Sequence, residues 1–265
     1  MKQINRYFKT DNKALYLSIF GEQTARRQII MLSGFAEERK SIYRLEVELA
    51  RSLCDACCIW RFDYSGCGES AGDFQDMSLA TWQDDLKVLI KFIRKSGSID
   101  ELCLIGFRLG ANIAVLADSV DKLVLIEPLQ SGDEMINELL RKKHIKAMMS
   151  GNDTDFTAEI EASWKADELV DFDGFAVSRT MKESLESIDF AQALSNQQSP
   201  YCLVHLSGAK KLKGFWAEQE TVERSGCLFK HIRQKPFWGL SEYQENTELK
   251  STIANYLGVK NEITN

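Results

Sequence analysis

Short, wholly apolar runs alternate with stretches of helical periodicity from Ala14 to Ile126, and this alternation most constrains what the chain can fold into. Ala14–Phe20, Gln28–Leu32, Cys57–Phe62, Leu102–Ile105 and Leu123–Ile126 read as strands. Between them, Leu45, Leu49 and Leu53 mark a helix within Ile42–Leu53. Leu79, Trp82, Leu86, Leu89, Ile90 and Ile93 form the stripe of a second, and Leu109–Ala117 reads as a third. Strands apolar along their whole length are buried on both faces, which implies a parallel sheet with helices on each side. Tyr201–Leu206 and Cys227–Ile232 resume the strand pattern, and Thr247–Leu257 reads as a closing helix. Residues 150–189 break the rhythm, being acidic and without a strong strand, and are expected to form a lid over the sheet. The expected class is therefore α/β: one domain over residues 1–265, a mostly parallel central sheet with helices on both faces, and a small helical lid insertion.

A chain of 265 residues buries roughly three quarters of its unfolded surface and needs no disulfide or metal staple. Its net charge of −6, from 33 Lys+Arg against 39 Asp+Glu, argues against a nucleic-acid footprint over the whole surface. The longest apolar runs, such as Leu123-Val124-Leu125-Ile126, fall far short of the ~20 residues a membrane span requires. The polar N-terminal stretch does not read as a signal peptide. Seven scattered cysteines, several inside apolar runs, suggest a reduced, cytoplasmic setting. Cys54 and Cys57 match C-x-x-C, but no second pair accompanies them. None of the three histidines has metal-ligand spacing with another, so neither metal nor cofactor is expected.

Three glycine-bearing segments follow predicted strands in order: Ser33-Gly34-Phe35, then Asp63 to Gly72, then Gly106-Phe107-Arg108-Leu109-Gly110-Ala111. The third lies between a strand and a helix, the setting of the nucleophile elbow G-x-S-x-G. In this order and context the chain resembles the α/β-hydrolase fold. The wider set, Phe35 to Ser41, Asp63 to Asp73, the elbow, and Pro236-Phe237-Trp238 with Glu242, is similar to hydrolase-like proteins of exosortase-associated polysaccharide clusters. That resemblance implies a bacterial cytoplasmic role near exopolysaccharide or lipid-linked export.

The resemblance stops at the reacting atom. Arg108 stands where the fold carries its nucleophile, and a guanidinium has no lone pair with which to attack a carbonyl. The acid is expected after the strand that follows the lid, where the chain reads Ser207-Gly208-Ala209-Lys210-Lys211-Leu212-Lys213. The histidine is expected after the last strand, but His231 falls inside it. All three triad positions look substituted, so ordinary acyl-enzyme chemistry is excluded at the elbow.

Two readings of the site follow. In the first, the protein is a non-catalytic binder of an anionic or acyl ligand, or a scaffold for a biosynthetic protein partner. Arg108 would grip a carboxylate or phosphate at the helix N-terminus, or pair internally with Glu127, or do both. In the second, it is an esterase-, thioesterase- or acyltransferase-like enzyme with a rebuilt site, Arg108 holding the substrate and Glu37 or a water doing the chemistry. The backbone N–H groups of Phe35 and Leu109 would form an oxyanion-hole-like pair in either case. Glu38 is expected to pair on the surface with Arg39, Lys40 or Arg44. Cys67, flanked by glycines, is a candidate for a lowered thiol pKa. Trp238 either lines the pocket or fills the space of the missing histidine. His205 reads as a satisfied core residue and His144 as part of a solvated basic face.

Overall fold

The computed structural model describes residues 2–10, 13–151, 156–240 and 242–259, so part of the expected lid, 152–155, lies outside the described residues. The strands are β1 (Gln3–Lys9), β2 (Ala14–Phe20), β3 (Arg27–Leu32), β4 (Cys58–Phe62), β5 (Glu101–Phe107), β6 (Lys122–Ile126), β7 (Val170–Phe172), β8 (Phe175–Val177), β9 (Tyr201–Leu206) and β10 (Leu228–Ile232). The helices are α1 (Glu38–Leu53), α2 (Leu79–Lys95), α3 (Leu109–Ala114), α4 (Gly132–Met149), α5 (Thr157–Lys165), α6 (Arg179–Glu186), α7 (Phe190–Asn196), α8 (Phe215–Gln219) and α9 (Thr247–Leu257).

Eight strands make one sheet in the order β1-β2-β4-β3-β5-β6-β9-β10. The pairs β1–β2 and β2–β4 are antiparallel, and every pair from β4 to β10 is parallel. The reason is visible in β5. Leu102 and Leu104 face one apolar layer, while Cys103, Ile105 and Phe107 face the other. A strand with only apolar residues has no face to offer water, so helices must cover both sides. On one side α1 supplies Ile42, Leu45 and Leu49, and α9 supplies Leu249, Ile253 and Leu257. On the other, α2 buries the stripe from Leu79 to Ile93 and is capped by Ser78, whose hydroxyl accepts the Thr81 N–H at 3.3 Å.

Between β6 and β9 the chain makes an excursion that includes residues 150–189. Its first helix, α4, starts at Gly132, and β7 and β8 form a short antiparallel hairpin where no strand is apparent in the sequence. Among the described residues no helix is long and apolar enough to cross a membrane, no group of metal-ligating side chains gathers, and the cysteines are free.

Candidate functional site

Parallel α/β sheets place their sites at the carboxyl ends of the strands. Here β5 ends at Phe107 and the chain turns sharply at Arg108, with φ 53° and ψ −121°, before α3 begins at Leu109. Few residues other than glycine adopt such a backbone, and the flanking glycines make it possible by close approach. A Cβ on Gly106 would lie 2.5 Å from the Gly110 carbonyl oxygen, and one on Gly110 would strike the Leu32 carbonyl. The strained elbow is thus retained around an arginine.

The Arg108 side chain is only 3% exposed, and its donors are used. Nε donates to Glu38 Oε1 at 2.8 Å, and Nη2 donates to both oxygens of Glu138 at 2.9 and 3.0 Å. Nη1 donates to the Glu127 carbonyl at 3.4 Å and lies 3.9 Å from Glu134. Burial works against the charge, but Glu38 and Glu138 more than offset it, so the guanidinium holds its proton more tightly than a free arginine. The Glu134 carboxyl, by contrast, is pushed up from its ordinary value, because burial outweighs the Gln130 N–H and Arg108.

Glu38 is not the surface residue expected. It is 2% exposed, and while Oε1 holds Arg108, Oε2 accepts the Phe35 N–H at 3.3 Å. One of the two backbone donors predicted to stabilise an oxyanion is therefore satisfied by a carboxylate of the chain itself. Nor does Glu127 form the expected ion pair with Arg108. Its carboxylate turns to β9, accepting the Leu206 N–H at 2.6 Å and lying 3.0 and 3.1 Å from His205 Nδ1. The strand-end N–H competes successfully because it needs an acceptor and Arg108 already has two carboxylates. His205 is buried and stacked on Trp216, with ring centroids 4.1 Å apart.

A cleft of about 240 Å³ lies against this cluster, between the Phe35–Glu38 turn, α4 and the β7–β8 hairpin. Phe35, Met135 and Leu139 contribute apolar surface, Glu37 and Glu38 border it, and Lys142, Lys143 and Lys146 stand along α4. Lys143 donates to the Asp171 carbonyl at 2.7 Å and Lys146 pairs with Asp173. Lys142 has no ion-pair partner among the described residues. Glu37, the candidate base, pairs with Lys40 at 2.6 Å. Trp238 is not part of this lining. Its ring lies tilted against that of Phe237, with centroids 4.3 Å apart, and packs against the α1–α9 layer.

Cys67 reverses the expectation of a lowered pKa. Burial pushes its thiol up to about 12 against the opposing pull of Arg39. In the same segment, the Ser65 hydroxyl donates to Asp85 at 2.9 Å and the Ser70 hydroxyl donates to the Asp63 carbonyl at 2.5 Å, so both shape the loop. His231 lies inside β10, with Nε2 3.1 Å from the Ser207 carbonyl oxygen.

Solved structures share this architecture. Est1E from Butyrivibrio proteoclasticus with ferulic acid bound is 18% identical at a TM-score of 0.65, over 95% of this chain and 97% of that one. An esterase from Pyrococcus furiosus is 15% identical at 0.65, over 97% and 90%. The chain has the α/β-hydrolase fold. An enol-lactonase from Burkholderia xenovorans, 13% identical at a TM-score of 0.60, covers 96% of this chain and 100% of its own. No protein-family model and no curated protein matches the chain. Within the α/β-hydrolase fold, the elbow, the turn after β3 and the parallel sheet stand together here around an arginine and its three nearby carboxylates, Glu38, Glu134 and Glu138. Of these partners the sequence reading missed all three in this role. The i, i+4 spacing of Glu134 and Glu138 at the start of α4 was the available signal.

Proposed function

We propose that this chain is a non-catalytic α/β-hydrolase-fold protein that acts by binding an anionic or acyl ligand, or a protein partner, rather than by turnover. The observation that carries the reading is Glu38, which engages Arg108 and the Phe35 N–H at once. A nucleophile position filled by a paired guanidinium offers no attacking atom, and an acceptor already on the Phe35 donor competes with any developing oxyanion. Arg108 serves as an internal clamp between α1, the elbow and α4.

The ligand site, in this reading, is the neighbouring cleft, where an apolar chain meets Phe35, Met135 and Leu139 while an anionic group meets Lys142. The resemblance of the motif segments to hydrolase-like proteins of exosortase-associated clusters supports a place in bacterial polysaccharide or lipid-linked biosynthesis, in the cytoplasm. The test is hydrolysis of a short and a long p-nitrophenyl ester by the wild type and Arg108→Ala. Equal background rates are expected. Saturable wild-type turnover lost in Arg108→Ala would replace this reading with an enzyme built around the arginine.

A further inference from the structure

A second surface shares no lining residue with the Arg108 cluster or its cleft. Between α2 and the end of α3 runs a groove of about 520 Å³, floored by Leu86, Ile90, Ile113 and Leu116. Across Gln83, Ile113 and Leu116 it continues into a second stretch of about 350 Å³ that reaches Ile188 and Ala193 beside α7. Leu116, at the junction and just beyond the end of α3, is 51% exposed, although the leucines of α2 and α3 are buried.

One edge of this groove is basic in an otherwise acidic chain. Lys87, Lys91, Arg94 and Lys95 stand along the last turns of α2. Lys91 and Lys95 have no ion-pair partner among the described residues. Lys87 has only the exposed Asp84 at 3.6 Å, and Arg94 bonds to Asp121 and the Ser119 carbonyl through one nitrogen. Asp118 also borders the groove.

The arrangement of these charges selects among ligands. Lys87, Lys91 and Lys95 follow one another at one-turn spacing, about 6 Å apart over about 12 Å of helix. A single phosphate or carboxylate headgroup needs cations that converge on one point. A row of cations beside an apolar trough instead matches a row of carboxylates beside an apolar stripe, which is what an acidic amphipathic helix presents. We propose that this groove docks an acidic amphipathic helix of a partner protein. Its apolar side chains, at i, i+3/i+4 and i+7, enter the trough over Leu116, and its Glu or Asp residues face Lys91 and Lys95.

The test is selection of 16-residue peptides from a random displayed library on the full chain, followed by affinity measurement against Leu116→Glu and Lys91→Glu/Lys95→Glu. These positions are exposed and outside the Arg108 cluster, so both variants should keep the wild-type circular dichroism and melting temperature. Selected peptides should carry acids at helical spacing and apolar anchors. They should bind each variant at least tenfold more weakly, and lose affinity as salt is raised. Peptides without acidic bias, or equal binding to wild type and variants, would overturn the proposal. So would a wild-type dimer that Leu116→Glu dissolves, since the occupant would then be a second copy. Phosphatidylglycerol vesicles that bind the wild type more tightly than any selected peptide would overturn it in favour of a lipid surface.

Discussion

Glu38 and Arg108 lie 70 residues apart in sequence and 2.8 Å apart at the elbow, each side chain 3% exposed. Their pairing joins the first turn of α1 to the turn between β5 and α3, and Glu138 extends it to α4. In a fold whose elbow ordinarily presents a nucleophile, the same position here holds three elements together.

Removing one partner of a buried ion pair leaves the other charged and unpaired, which costs about 3–5 kcal/mol. Arg108→Ala should lose stability in that range by urea denaturation. Glu38→Gln, which keeps an acceptor for the Phe35 N–H, should lose less. A coupling energy near zero in the double-mutant cycle would deny the interaction.

The elbow glycines carry a separate expectation. Gly110→Ala forces a methyl into the Leu32 carbonyl, an obstacle of backbone that cannot swing aside. Overpacking of this kind costs about 1–3 kcal/mol or more. A melting temperature equal to that of the wild type would mean that the β3–α3 approach is looser than described.

Cys67 should resist alkylation. With its thiol pushed up to about 12, its thiolate fraction at pH 8 is roughly three orders of magnitude below that of an ordinary cysteine. Iodoacetamide at pH 8 followed by peptide mass mapping should leave Cys67 unmodified until the protein is unfolded. Rapid labelling of the native protein would reveal an activated thiol.

Acid should weaken the attachment of the C-terminal segment to α1. Burial disfavours the Glu48 carboxylate, but Tyr243, Lys250 and Arg44 donate to it and lower its pKa from 4.5 to about 2. A carboxylate depressed in the folded state stabilises the protein above its unfolded value and loses that contribution as pH falls through the folded one. The stability difference between wild type and Glu48→Gln should therefore be full above about 4.5 and vanish towards about 2. A difference independent of pH across that window would show that these donors do not set the Glu48 charge.

The sheet was readable in the sequence because its central strands are continuously apolar, and Ala14–Phe20, Tyr201–Leu206 and Thr247–Leu257 match the observed bounds. Strand β1 escaped notice because it lies at the sheet edge, where Asn5, Arg6 and Lys9 interrupt its apolar residues. Helix α4 was legible only at its basic stretch, Arg141 to His144, because it buries residues only in its first half and so shows no full apolar stripe. At the site, the arginine and its position after β5 could be read from the Gly106 and Gly110 frame. Its partners could not, because which carboxylate reaches a buried cation depends on competition in three dimensions. Glu127 lost that competition to the Leu206 N–H and His205, and Glu38 won it by sitting at the first turn of α1.

The central claim is that this elbow presents no nucleophile. The most direct measurement is intact mass after incubation of the native protein with a fluorophosphonate, which phosphonylates an activated serine. The account predicts an unchanged mass for the wild type and for Arg108→Ala. A stoichiometric adduct on the wild type, lost on prior unfolding and placed by peptide mass mapping at the elbow or the cleft beside it, would contradict it.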